Sequence, residues 1–338
     1  MFHYSRTISM KEFSDYDIKY PDLVIQLIRF FSHMSDGKQD RTIGDFVNSF
    51  QTPQGEDPLQ PDIIGRICDR LCMMRKMICL QKRECMCLQD KYYGIPINEI
   101  NYIANPELLL HHYNSFVYGF DYIYQHYRKR TIPVVVKTDK GSSMGSCFRI
   151  YDGIATARHC LTDGKPVAIK GYTKEQLSGF KVFVSSNPNH DLAFIKTGEK
   201  TIFNFGEPHV LDNVLVMGFP KVPCFLDFCT GEKANISAMA EIRQTPTFGA
   251  IAAEGEMYFL PNQPLLLITA KVRGGNSGGP VINEDGYVVG IATGVPSGEG
   301  LSDDQMGYGI AYPIQALVVV LKEGNEIKVD FMDFPEYN

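Results

Sequence analysis

Gly274-Gly275-Asn276-Ser277-Gly278-Gly279-Pro280 stands between two apolar runs, Leu265 to Thr269 and Val281 to Ile282, and its reading decides the fold. A serine hydroxyl is a poor nucleophile until a neighbouring base takes its proton, and an attacked carbonyl then needs donors for its new negative charge. Glycines meet the second need: they let the chain turn sharply and bring the amides of Gly275 and Ser277 to one point, where side chains would obstruct. Taken alone, the same string also fits a glycine-rich turn between strands.

A base for Ser277 must be distant in sequence and close in space. Gly145 to Ile150, a turn at Asp152-Gly153 and Ile154 to Cys160 read as a hairpin whose second strand runs into His159. Alone, that histidine would be structural. Asn189-His190-Asp191-Leu192-Ala193-Phe194-Ile195 places a carboxylate at the entrance of an apolar strand, where it can orient an imidazole and stabilise its charged form. An aspartate there is otherwise an ordinary turn residue.

The segments Ala157-Arg158-His159-Cys160, Asp191-Leu192-Ala193-Phe194-Ile195 and Gly275-Asn276-Ser277-Gly278-Gly279-Pro280, in that order, resemble the three catalytic motifs of the trypsin-like peptidase family. Gly141 to Ser146, Val216 to Pro220 and Gly309 to Ile314 resemble its bacterial HtrA-like branch. The resemblance implies a double β-barrel serine endopeptidase acting on protein substrates through an acyl-enzyme, with no metal and no cofactor. His159, Asp191 and Ser277 would be the triad, and the amides of Gly275 and Ser277 the oxyanion hole. Lys271, Thr293, Gly294, Gly307 and Gly309 would line the specificity pocket; the aspartate that trypsins carry at the place of Lys271 is absent.

Two departures bear on control. Asn276 stands where secreted trypsins have an aspartate that pairs with a newly released α-amino group, so regulation is expected from the N-terminal domain or a partner. Only 16 residues follow Lys322, too few for the peptide-binding PDZ domain usual in HtrA proteins. Cys147 and Cys160 flank the first hairpin where secreted relatives carry a disulfide, and free thiols are expected here.

The fold class expected overall is α+β and multidomain: a mostly helical domain over residues 1–130, the all-β protease domain over 131–325 and a tail over 326–338. Apolar residues recur at helical spacing over Pro21 to Met34, Arg41 to Phe50, Pro61 to Lys76 and Pro106 to Arg128. Met77 to Gln81 and Cys85 to Gln89 read as two strands around a polar turn, an outline like that of a winged helix. Seven basic residues between Pro61 and Lys91 suit phosphates or, by preference, a solvated face on a module that docks a regulatory protein. The alternative reading is therefore a nucleic-acid- or protein-binding regulator whose protease domain is an effector or an inactive scaffold.

The net charge of −6 excludes a polyanion binder by bulk charge. Nine cysteines form an odd set without a C-x-x-C pair, unlike a secreted disulfide framework. Short apolar runs exclude a membrane helix, and the polar opening segment does not read as a secretion signal. The expected location is the cytoplasm.

Overall fold

In the computed structural model the helical spacing near the N-terminus becomes a small packed bundle. The structure describes residues 16–32, 41–52, 58–83, 87–94, 106–139, 141–187, 190–201, 205–220, 244–257, 260–294 and 307–335. The chain divides into two units, 1–123 and 124–338. None of the described helices is long and apolar enough to cross a membrane.

The first unit holds α1 (Tyr16–Lys19), α2 (Leu23–Ser32), α3 (Ile43–Ser49), α4 (Pro61–Met73), β1 (Met77–Gln81), β2 (Lys91–Gly94) and α5 (Pro106–Tyr118). Leu23, Leu27, Ile28 and Phe31 face inward from α2, as their spacing requires. Thr42 caps α3: its hydroxyl accepts from the Asp45 amide, and the Asp45 carboxylate accepts from the Thr42 amide. The second strand is not at Cys85 to Gln89. Residues 84–86 lie outside the described chain, Cys87–Gln89 is a 3₁₀ turn, and the strand begins at Lys91. Tyr92 explains the shift, because its ring is buried against Phe31 while its hydroxyl donates to Asp69 at 2.9 Å. The expected single helix over 106–128 is broken at Gly119 (φ +70°), after which α6 spans Phe120–Tyr127.

From Thr131 the chain is built of antiparallel strands. β3 (Thr131–Thr138), β4 (Gly141–Thr156), β5 (Val167–Ile169), β6 (Lys181–Val184), β7 (Ala193–Thr201) and β14 (Asn325–Ile327) form one sheet in the order β14-β6-β7-β4-β3-β5. The short helices α7 (His159–Thr162) and α8 (Lys174–Gly179) interrupt it. β8 (Asn213–Gly218), β9 (Thr245–Met257), β10 (Leu260–Ile268), β11 (Pro280–Asn283), β12 (Val288–Gly294) and β13 (Gly309–Pro313) close into a barrel, followed by α9 (Gln315–Glu323).

Two expectations change here. Only the second half closes by hydrogen bonding; the first remains a six-stranded sheet with β5 and β14 as edges. The residues expected as a tail add β14 to the edge of β6 and run along β5. β14 pairs with β6, Phe331 bridges Val167 and is buried, and the Val167 amide donates to Asp330.

Ile154 and Ile195 pair directly across β4 and β7 and are both fully buried in the core of this sheet. Ile195→Ala should therefore cost about 2–5 kcal/mol. Urea unfolding followed by circular dichroism measures it, and a loss below about 1 kcal/mol would contradict the packing described.

Candidate active site

The pairing of β4 with β7 brings the first two candidate residues together. Thr156 lies opposite Ala193, so the chain leaving β4 and the chain entering β7 meet at one end of the sheet. After Thr156 the backbone coils, with the Cys160 amide donating to Ala157 and that of Leu161 to Arg158, and His159 opens α7. Asp191 holds His159 at two points. One carboxylate oxygen accepts the His159 amide at 2.8 Å and the other lies 2.6 Å from ring Nδ1. Burial disfavours charge on the ring, but the Asp191 hydrogen bond, with Cys160 beside it, outweighs burial and raises the imidazole pKa well above its ordinary value.

Ser277 lies at the junction of two tight turns. The Asn276 amide donates to Arg273 at 2.9 Å with Gly275 at φ +106°, and the Gly279 amide donates to Asn276 at 2.8 Å with Gly278 at φ +85°. Both have the signature of a type II turn, whose third residue needs positive φ. The neighbouring chain forbids side chains as well: a Cβ at Gly275 would sit 2.2 Å from the Phe219 carbonyl oxygen, and one at Gly278 2.1 Å from that of Ser146. The Gly275 and Ser277 amides donate no hydrogen bond to any described residue, as an oxyanion site requires. The Ser277 carbonyl accepts from the Ser146 amide at 2.8 Å and from the Cys160 thiol at 3.4 Å, which places the Ser277 backbone beside the residue following His159.

The hydroxyl itself is turned elsewhere. Ser277 Oγ donates to the Thr293 carbonyl at 3.0 Å and not to His159. Thr293, expected as a pocket wall, thus holds the Ser277 hydroxyl, through its backbone carbonyl and not through its side chain. Gly294 follows it at the end of β12, and Gly309 begins β13, where a Cβ would meet Val272 Cγ2 at 2.3 Å. Gly307 (φ +72°) and Lys271 are exposed; the Lys271 carbonyl accepts from Thr247 Oγ1 and Asn276 Nδ2. Asn276 is buried at 1% exposure. Cys147 and Cys160 are free, each with its own acceptor, Ile132 and Ser277 respectively.

Gly278→Ala forces a side chain into left-handed backbone, at about 1–2 kcal/mol, and against the Ser146 carbonyl. Gly274, with open space at its Cβ position and no positive φ, should accept alanine within about 0.5 kcal/mol. Denaturant unfolding of the two variants side by side tests the difference, and equal stabilities would refute the turn assignment.

Residues 145–291 match the family model of the trypsin-like peptidase domain. Two curated relatives, both named probable periplasmic serine endoprotease DegP-like, are similar over shorter stretches. The one from Chlamydia muridarum is 35% identical over 74 residues, 21% of this chain and 14% of its own length. That from Chlamydia trachomatis is 34% identical over 102 residues, 28% of this chain and 20% of its own. The chain therefore spans a fifth or less of these relatives. Among solved structures, a serine endoprotease from Yersinia pestis is 23% identical, covers 60% of this chain and 64% of its own, and aligns with a TM-score of 0.42. An M. tuberculosis protease in its active form is 18% identical, with 61% and 86% covered and a TM-score of 0.44. Across residues 145–291, less than half of its length, this chain is similar to the trypsin-like peptidase domain.

Proposed function

We propose that the protein is a serine endopeptidase in which His159 is the general base, Asp191 its orienting partner and Ser277 the nucleophile. The observation that carries this reading is the doubly anchored Asp191–His159 pair beside a serine whose flanking glycine turns leave two amides free. His159, neutral at Nε2, takes the hydroxyl proton as Ser277 attacks a peptide carbonyl. The oxyanion is received by the Gly275 and Ser277 amides, the imidazolium returns its proton to the leaving amine, and water then resolves the acyl-enzyme. Asn276 cannot form the ion pair of a processed zymogen, so control falls to the helical unit or to a partner, with a protein as substrate.

The helical unit supports a winged-helix description. Thr42 bridges Lys91, adding a one-residue third strand beside β2. Its α4 is a poor reader of nucleic acid, however, since only Asp62 and Met73 along that helix are exposed. Docking of a protein is the better use. The six free thiols among the described residues favour a reducing compartment, the cytoplasm.

A fluorophosphonate probe should label Ser277 in the wild type and nothing in Ser277→Ala, and Ser277→Ala or His159→Ala should lose on the order of 10⁴ to 10⁶ in turnover. Labelling that persists in Ser277→Ala would overturn the assignment.

The pH profile follows from the sign of the His159 shift. Only neutral imidazole acts as base, so kcat/KM climbs as the ring deprotonates, and the raised pKa puts the midpoint above that of an ordinary histidine. Asp191→Asn removes the group that stabilises the imidazolium, so it should move the midpoint down while costing on the order of 10⁴ in kcat. A midpoint unmoved in that variant would count against the pair.

A further inference from the structure

Ser146 lies on β4, and its side chain was not singled out by any motif spacing. It is fully buried, and its three polar groups make four hydrogen bonds. Its amide donates to the Ser277 carbonyl at 2.8 Å. Its hydroxyl donates to the Gly275 carbonyl at 2.6 Å and accepts the Phe219 amide at 3.0 Å. Its carbonyl accepts the Thr156 hydroxyl at 2.7 Å. Pro133 lies opposite on β3 in a non-hydrogen-bonded pair, so the Ser146 amide and carbonyl both face away from that strand, toward Ser277 and Thr156.

We infer that Ser146 is the positioning residue of the oxyanion hole, a bracket that fixes Gly275 and Ser277 from the opposite sheet. The inference rests on the triad reading given above. Gly275 is the residue whose amide must point at the oxyanion, and glycine left to itself samples positive and negative φ about equally. A type II turn and a type I turn over Arg273–Asn276 differ by a flip of the Gly274–Gly275 peptide, which carries that amide. The Ser146 hydroxyl clamps the carbonyl on the other side of Gly275, and the Ser146 amide clamps the carbonyl of Ser277. With both carbonyls held, the two donor amides keep their places before substrate arrives, which is the preorganisation that makes such a hole effective. The arrangement also takes over the work of the missing ion pair: a neutral hydroxyl, itself oriented by the Phe219 amide, holds a loop that Asn276 cannot hold by charge.

Ser146→Ala and Ser146→Gly both remove the hydroxyl and keep the amide; Ser146→Thr keeps both. In the full-length protein, well below the melting temperature of each variant, the Ala and Gly forms should lose about 10- to 100-fold in kcat with KM changed less than threefold, approaching the loss of an oxyanion donor. Their affinity for a peptidyl aldehyde, which forms a tetrahedral adduct on Ser277, should fall in parallel, while affinity for the matching product peptide stays within threefold. Ser146→Thr should recover most of kcat. A merely structural role would lower the melting temperature of the Ala and Gly forms and leave kcat and aldehyde affinity near wild type, and that result overturns the inference. So does a parallel loss of product-peptide affinity. If the wild type itself fails to be labelled by the fluorophosphonate at Ser277, the triad reading fails and takes this inference with it; a labelled wild type with unimpaired Ala and Gly variants sinks the Ser146 assignment alone.

Discussion

One carboxylate spans two donors of a single residue: Asp191 binds the backbone amide and the ring of His159. The backbone contact fixes where the histidine starts its helical turn, and the ring contact leaves Nδ1 as the donor, so Nε2 is the nitrogen available to act. Neither bond exists unless β4 and β7 end level with each other, which their register, Thr156 opposite Ala193, ensures. The six-stranded sheet is thus a device for aligning two strand ends. Its apolar interior, with Ile154 packed on Ile195, stabilises that alignment from the side away from the site.

Ser277 is placed by a different constraint, close approach of backbone to backbone. Around Ser277 the neighbouring chain lies so near that Gly275, Gly278 and Gly279 would each drive a Cβ to 2.2 Å or less from a carbonyl oxygen, those of Phe219, Ser146 and Met217. Gly275 and Gly278 are therefore required twice, for their φ values and for the space they leave, and Gly279 for the space alone. That closeness lets Ser146 and Cys160 reach the Ser277 carbonyl, and lets the β11–β12 region fix the turn through the Gly278 amide on Ala292.

Much of this was legible in the chain. Motif order located His159, Asp191 and the glycine turns, because each is a short local pattern with a chemical reason for its residue types. What escaped the sequence depends on long-range packing. The second strand of the helical unit moved to Lys91–Gly94 because burial of Tyr92 on Phe31 and its bond to Asp69 outweigh the β-like run at Cys85 to Gln89. The residues expected as a tail became an edge cover, pairing with β6 as β14 and bridging β5 at Val167 through Phe331. Thr293 acts through a carbonyl, a group that every residue possesses, so its type could not announce the role.

The position of the Ser277 hydroxyl agrees with a His159 ring whose pKa is raised by Asp191. Asp191 favours the imidazolium, and an imidazolium carries hydrogen on both ring nitrogens, so Nε2 has no lone pair to accept a serine proton. The hydroxyl must donate elsewhere, and the Thr293 carbonyl at 3.0 Å is the acceptor it finds. Deprotonation of the ring restores an acceptor at Nε2 and makes the two positions of the hydroxyl competitive. On the proposed reading, the carboxylate that orients the His159 ring also favours the state in which the Ser277 hydroxyl points to Thr293.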